Sequence, residues 1–238
     1  MTNSKCSRAL LAGILASSVL AVTGIPQSAS AATITDLLAV WPTSPDVQTV
    51  DAINNSPANR GIAGTRIDQQ SFTVDSDVTV GTIYLSAANY NNLAFTISFY
   101  ETVGGVNDNP PVPGTQVGST ITVDPFGSTS SGNGNMEISL SPSEQFTLPA
   151  LTGGSGYMMA VQLVDTSSST AGFNWVHSNS GTDIYTGGRY LRDDGNTTNT
   201  RDFGLALVAA PVPEPGSLAL LAIGSSLLLA VRRRRQAR

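Results

Sequence analysis

The chain of 238 residues has one cysteine, Cys6, one histidine, His177, and one lysine, Lys5. A single cysteine excludes an internal disulfide and a multi-cysteine metal site. A single histidine excludes zinc sites built from several histidines. No Gly-x-Ser-x-Gly elbow is present to accompany His177, so a Ser/His/Asp hydrolase is not predicted.

Positive charge is scarce in the middle of the chain. Residues 32–211, called the body below, contain sixteen acidic residues against five arginines, which leaves a formal charge of −11. The whole-chain value of −5 hides this excess, because basic residues concentrate at the two ends. Such a body repels nucleic acid and anionic lipid. It suits Ca²⁺, whose ligands are carboxylate and carbonyl oxygens.

The N-terminus has the layout of a secretory signal peptide. Lys5 and Arg8 precede an apolar stretch at 9–22, and Ala29, Ser30 and Ala31 follow it. A basic segment, an apolar segment and a small-x-small site are what signal peptidase recognises. We therefore predict a signal peptide at 1–31, cleavage after Ala31 and export of the body.

The C-terminus contains three consecutive features. The apolar run at 218–231 is fourteen residues long, so as a helix it spans about 21 Å of the ~30 Å hydrocarbon core and makes a short transmembrane helix. Arginines after the run favour the cytoplasmic side, which leaves the body outside. The residues before and after it are Val212, Pro213, Glu214, Pro215 and Gly216, then Arg232, Arg233, Arg234 and Arg235.

This tail, residues 212–238, resembles the PEP-CTERM sorting signal of Gram-negative bacteria, whose name comes from the triplet Pro213, Glu214 and Pro215. The resemblance implies that an exosortase in the inner membrane recognises and processes the tail. The protein is then anchored only transiently, and the body is released or attached at the cell surface or in an extracellular matrix. A biofilm or exopolysaccharide setting is implied as well. The signal marks cargo and implies no catalysis, and the alternative is a plain C-terminal membrane anchor.

Short apolar runs separated by turn residues predict an all-β body. Residues 95, 97 and 99 are apolar and alternate with polar 96 and 98, as expected of a half-buried strand. Residues 35–40 make at most a turn or two of helix, and 46–64 are predicted as loops with at most one short strand. The ten predicted strands are 70–74, 78–85, 93–101, 118–123, 136–140, 145–148, 157–164, 173–176, 188–191 and 203–208.

This strand spacing favours an antiparallel two-sheet β-sandwich with a jelly-roll-like order. The predicted organisation is one sandwich domain at 32–211, flanked by the N-terminal signal helix and the C-terminal hydrophobic helix.

Two kinds of binding site are predicted. Oxygen ligands around turns make candidate calcium sites of Asp193, Asp194 and Asn196, and of Asp75 and Asp77, although these residues also occur in turns for backbone reasons. Aromatics in or beside loops make candidate glycan contacts, although the same residue types anchor cores. These aromatics are Trp175, Tyr185, Tyr190 and Trp41.

The sequence thus predicts a non-enzymatic, exported surface or matrix protein that an exosortase sorts. Its role would be structural or adhesive, beside extracellular polysaccharide. The alternative is a carbohydrate-binding module, with or without calcium. Nucleic acid is not an expected partner.

Overall fold

The computed structural model describes residues 31–52, 57–178, 185–192, 197–198 and 201–211. Within these ranges no residue is α-helical and fourteen segments are β-strands, so the described part of the chain is all-β, as predicted. No helix in these ranges is long and apolar enough to cross a membrane. The predicted signal helix and tail helix lie outside the described residues.

The strands in chain order are β1 (Ala32–Ala39), β2 (Val47–Gln48), β3 (Pro57–Ile62), β4 (Asp68–Phe72), β5 (Val78–Ala88), β6 (Phe95–Val103), β7 (Val112–Asp124), β8 (Asn133–Ser139), β9 (Phe146–Leu148), β10 (Tyr157–Leu163), β11 (Phe173–Ser178), β12 (Tyr190–Leu191), β13 (Thr197–Thr198) and β14 (Leu205–Ala209).

The strands form one mixed sheet with two halves. The β10 half runs in the order β13-β12-β4-β10-β6-β7, and the β5 half places β8 and β9 on one side of β5 and β11 and β14 on the other. β1 joins the halves, because its first residues pair in parallel with β7 and the strand then pairs antiparallel with β8. β3 pairs with β11, and β2 pairs with β14.

The sheet curls so that the two halves face each other across one core. The ring of Phe95 in β6 lies 4.9 Å from that of Phe173 in β11, although these strands do not pair. Phe99 of β6 lies equally close to Phe146 of β9, at 4.9 Å. These contacts bury the inward side chains of both halves in a single apolar cluster, which supplies the main favourable free energy of folding.

The predicted antiparallel two-sheet sandwich therefore needs a correction. The sheet is mixed, because Ala32 lies opposite Val123 of β7 in parallel register. It is continuous across the two halves, because β1 pairs with β7 and with β8. The pairing of β1 with β8 has register shifts between Ile34 and Asp36 and between Asp36 and Ala39. Such irregularities bend a strand. A jelly-roll order of strands is not confirmed.

Three further predictions about the strands were wrong in detail. Residues 35–40, for which at most a turn or two of helix was predicted, belong mostly to β1, whose pairing with β8 overrides local preference. The segment 46–64, predicted with at most one short strand, contains β2 and β3. β7 begins at Val112, six residues before the predicted start. β1, β2 and β3 are held by pairing with strands far along the chain, whereas the first residues of β7 pair with the preceding strand, β6.

Candidate functional site

Two of the four predicted glycan aromatics are core residues. Trp175 is 0% exposed, stacks on Phe203 with ring centroids 4.0 Å apart, and donates from Nε1 to the Gly204 carbonyl at 3.0 Å. Tyr190 is 2% exposed and meets Phe203 edge-on at 4.6 Å. Burial raises the pKa of Tyr190 to about 12. A saccharide in solution therefore cannot stack on either ring, and the glycan prediction is wrong for both.

The other two aromatics are half-buried and hydrogen-bonded. Trp41 follows β1 and donates from Nε1 to the Gln48 side-chain oxygen at 3.4 Å. The hydroxyl of Tyr185 accepts a hydrogen bond from the Thr73 backbone at 3.0 Å, and burial raises its pKa. Both rings retain some exposed surface. A glycan contact at Trp41 or Tyr185 stays a prediction.

The predicted calcium ligands are only partly described. Asp75 and Asp77 are exposed in the turn between β4 and β5, and the Asp77 Oδ1 accepts a hydrogen bond from the Ala150 backbone at 2.8 Å. Among the described residues, no three His, Cys, Asp or Glu side chains form a group that could hold a metal. Asp193, Asp194 and Asn196 lie outside the described residues.

A buried polar cluster, which the sequence analysis did not predict, lies on the inward face of β4. Arg60 Nε donates to both carboxylate oxygens of Asp68, at 2.9 and 3.0 Å. Gln70 Nε2 donates to Asp202 Oδ1 at 3.2 Å, and the Gln70 Oε1 accepts from the Phe203 backbone at 2.8 Å. Asp68, Gln70 and Phe72 are two residues apart and therefore share one face of β4. This spacing could have indicated polar side chains on the core face, but the predicted strand began at residue 70 and did not include Asp68.

His177 belongs to the wall of this cluster. Its ring lies 5.5 Å from that of Tyr190 and 5.8 Å from that of Phe203. Its Nδ1 is 2.9 Å from the Ser178 carbonyl, which fits a neutral tautomer donating from Nδ1. Desolvation by burial lowers the pKa of His177, and Arg201, Arg192 and Arg60 lower it further. The imidazole is thus held by a backbone carbonyl and aromatic rings.

A concave feature lies on the outward face of the β10 half. We call it the outer groove. It consists of two cavities, of about 480 and 240 Å³, which share Ile67, Gln69 and Pro113. Their other lining residues are Thr65, Thr96, Ser98, Tyr100, Pro110, Pro111, Val112, Gly114, Ala160, Gln162, Leu191 and Arg192.

Strand register explains the shape of the outer groove. Ala160 of β10 lies between Gln69 of β4 and Ser98 of β6, so these three residues form one row across the sheet. Ala160 and Ser98 are small and make a low floor, whereas Gln69 and the Tyr100 ring stand higher at its sides. The segment 110–113 forms a wall at one end. No local pattern in the sequence indicates this groove, because its lining comes from five separate segments of the chain.

Comparison with known proteins adds one finding at the end of the chain. Residues 211–235 match the PEP-CTERM protein-sorting motif. The predicted resemblance is confirmed, and the motif begins two residues after β14 ends. PEP-CTERM sorting implies export, transient membrane association and delivery to the cell surface by an exosortase. Neither the curated proteins nor the solved structures compared contain a match to the chain.

Proposed function

We propose that the protein is an exported surface or extracellular-matrix protein of a Gram-negative bacterium, with a structural or adhesive body and no enzymatic activity. The observation that carries the proposal is the PEP-CTERM motif at 211–235. The motif follows β14 directly, so removing the tail takes no strand from the described sheet. The signal-peptide pattern at 1–31 supports the same route.

The body fits this role in its charge and in its architecture. Its formal charge of −11 favours a dispersed, soluble state beside extracellular polymers. Its two facing sheet halves bury one large apolar cluster, which suits a secreted domain without disulfides. We propose further that the two facing halves of the curled sheet correspond to a jelly-roll-like sandwich. The proposed partner of the body is extracellular polysaccharide.

Intact-mass measurement on protein from the native host tests the proposal. We expect the extracellular form to begin at Ala32 and to lack Arg238. A strain without exosortase, and a variant with Pro213, Glu214 and Pro215 changed to Ala, should retain the tail. The Pro125→Ala variant, altered in the body alone, should be processed normally. Met1 or Arg238 on the wild-type extracellular form would contradict the corresponding half of the proposal.

The second candidate function is a carbohydrate-binding module. The outer groove favours it, because an exposed trough lined by amides and hydroxyls is a common form of saccharide site. Trp41 and Tyr185 remain proposed additional contacts. Calcium at Asp75 and Asp77, or at Asp193, Asp194 and Asn196, is proposed as a stabilising ion for either function.

A further inference from the structure

We propose that the outer groove binds a single strand of an uncharged polysaccharide. This inference deepens the carbohydrate-binding function proposed above, because it names the site and the chemical class of the ligand. It uses neither the sorting tail nor the buried aromatics. It rests on the register of three strands, on hydrogen-bonding groups at the groove and on the charge of its lining.

Two polar groups at the groove have unused hydrogen-bonding capacity. Within the described residues, neither the Gln69 amide nor the Tyr100 hydroxyl has a protein hydrogen-bond partner. An amide and a phenol can each donate and accept, and so can a sugar hydroxyl. Gln69 and Tyr100 lie on β4 and β6, on either side of β10. A ligand lying over Ala160 would thus reach both.

Two other polar side chains of the lining, those of Ser98 and Gln162, are held in place by hydrogen bonds within the protein. Ser98 Oγ is hydrogen-bonded to Thr120 Oγ1 at 3.0 Å. Gln162 Nε2 donates to the Thr65 carbonyl at 3.1 Å, which leaves its side-chain oxygen as an acceptor. Side chains fixed in this way lose little rotamer freedom when a ligand binds, which lowers the entropic cost of association.

The lining also offers apolar surface for the C–H faces of sugar rings. Ile67 is 37% exposed, and Pro113 and the ring of Tyr100 border the same trough. Flat apolar surface beside fixed polar groups is how a ligand with apolar faces and a hydroxyl rim is oriented. The groove is an open trough and not an enclosed cavity, so a chain can pass through it with both ends free.

The charges of the groove lining and of the whole body favour an uncharged ligand over a charged one. Among the lining residues that the structure describes, Arg192 is the one charged side chain, and it lies at the end beside Pro110 and Pro111. None of the described residues that line the groove is a carboxylate, so they offer a polycation no charged partner. A polyanion would approach a body of charge −11 and be repelled. An uncharged chain meets neither obstacle.

Calorimetric titration of the mature protein from its native host tests the inference. The probes are neutral hexasaccharides of glucose, galactose, mannose and N-acetylglucosamine, with a galacturonate hexamer as the anionic counterpart. We expect a neutral hexasaccharide to bind with an affinity that barely depends on NaCl. Gln69→Ala should weaken it about tenfold and Tyr100→Phe severalfold, as loss of one or two hydrogen bonds predicts.

Matched controls separate the groove from the rest of the surface. Gln145→Ala removes a half-buried glutamine just before β9, and Phe126→Ala removes an exposed aromatic after β7, both outside the groove. Both should leave the affinity unchanged. Melting curves of every variant check that the fold survives, and Ala160→Leu, which fills the floor of the trough, offers a second way to block binding.

The outcomes distinguish the site from the function. If a neutral hexasaccharide binds and the groove variants bind as tightly as wild type, the groove assignment is overturned while carbohydrate binding stands. If neither a neutral hexasaccharide nor the galacturonate hexamer binds, the carbohydrate-binding function and the inference fall together. If only the galacturonate hexamer binds, with strong dependence on NaCl, the uncharged ligand class is overturned.

Discussion

Burial of His177 makes the stability of the body depend on pH near neutrality. The side chain is 5% exposed and its pKa is lowered by desolvation, then by the three nearby arginines. In the unfolded chain a histidine takes up a proton near pH 6.5. As the pH falls through that value, the unfolded state binds the proton before the folded state does, so the free energy of unfolding decreases.

Melting temperatures between pH 7.5 and 5.5 test this prediction, because ordinary carboxyl groups titrate near pH 4. We expect the wild-type protein to melt at lower temperature as the pH falls. His177→Gln should be less stable at pH 7.5, because it loses ring contacts with Tyr190 and Phe203. Its melting temperature should vary less with pH. The same pH dependence in both proteins would show that other groups cause it.

Strand β6 separates the core from the outer groove, and its two faces should respond differently to truncation. Ile97 is fully buried between Phe95 and Phe99, as its alternation predicted, whereas Thr96 is half-buried on the outward face. Ile97→Ala should cost about 2–5 kcal/mol of stability. Thr96→Ala should cost less than about 1 kcal/mol, because it removes only a 3.3 Å hydrogen bond to the Gln162 carbonyl and little buried surface.

Denaturant unfolding of the two variants measures these costs. For a body of this size, 1 kcal/mol corresponds to a shift of about 2–4 °C in melting temperature, so thermal melting provides an independent check. Equal losses in the two variants would show that the outward face of β6 is as tightly packed as the inward one. The groove would then be closed in solution.

Elements with strong local alternation could be predicted from the sequence, and elements held by distant partners could not. The core face of β6 follows from the spacing of its apolar residues. β1 and β3 depend on β8 and β11, which are far along the chain. No local pattern reports such pairing. Propensity is a weak guide where tertiary contacts decide.

The same reasoning explains which site residues could be found. The sorting motif is contiguous, so reading the sequence was enough. Trp175 and Tyr190 are of the residue types that form glycan sites, but residue type alone does not distinguish a buried core aromatic from an exposed one. The outer groove brings Gln69, Ser98 and Ala160 into one row. These three residues become neighbours only when β4, β6 and β10 pair in the folded sheet.

At the scale of the whole molecule, the excess of acids is the dominant electrostatic feature. The described arginine at position 60 is committed to the buried pair with Asp68, and the body has no lysine to offset its remaining carboxylates. Mutual repulsion of like charges destabilises a compact state at low ionic strength. Salt should therefore stabilise the body, and the identity of the cation shows whether screening alone is responsible.

Melting curves in NaCl and CaCl₂ at matched ionic strength separate screening from binding. Screening depends on ionic strength and not on the particular cation, so it predicts similar rises in the two salts.

A calcium ion bound only to the folded body adds about 2.7 kcal/mol at a hundred times its Kd, which is a further rise of several degrees. We expect this additional rise in CaCl₂ and its loss in EDTA. Asp194→Asn should abolish it if the ion binds at residues 193–196, whereas Asp77→Asn should abolish it if the ion binds beside β5. Asp77→Asn is a clean variant, because an amide oxygen can still accept the hydrogen bond from the Ala150 backbone. Equal rises in the two salts would contradict calcium binding and leave the carboxylates as a solvated surface that any cation screens.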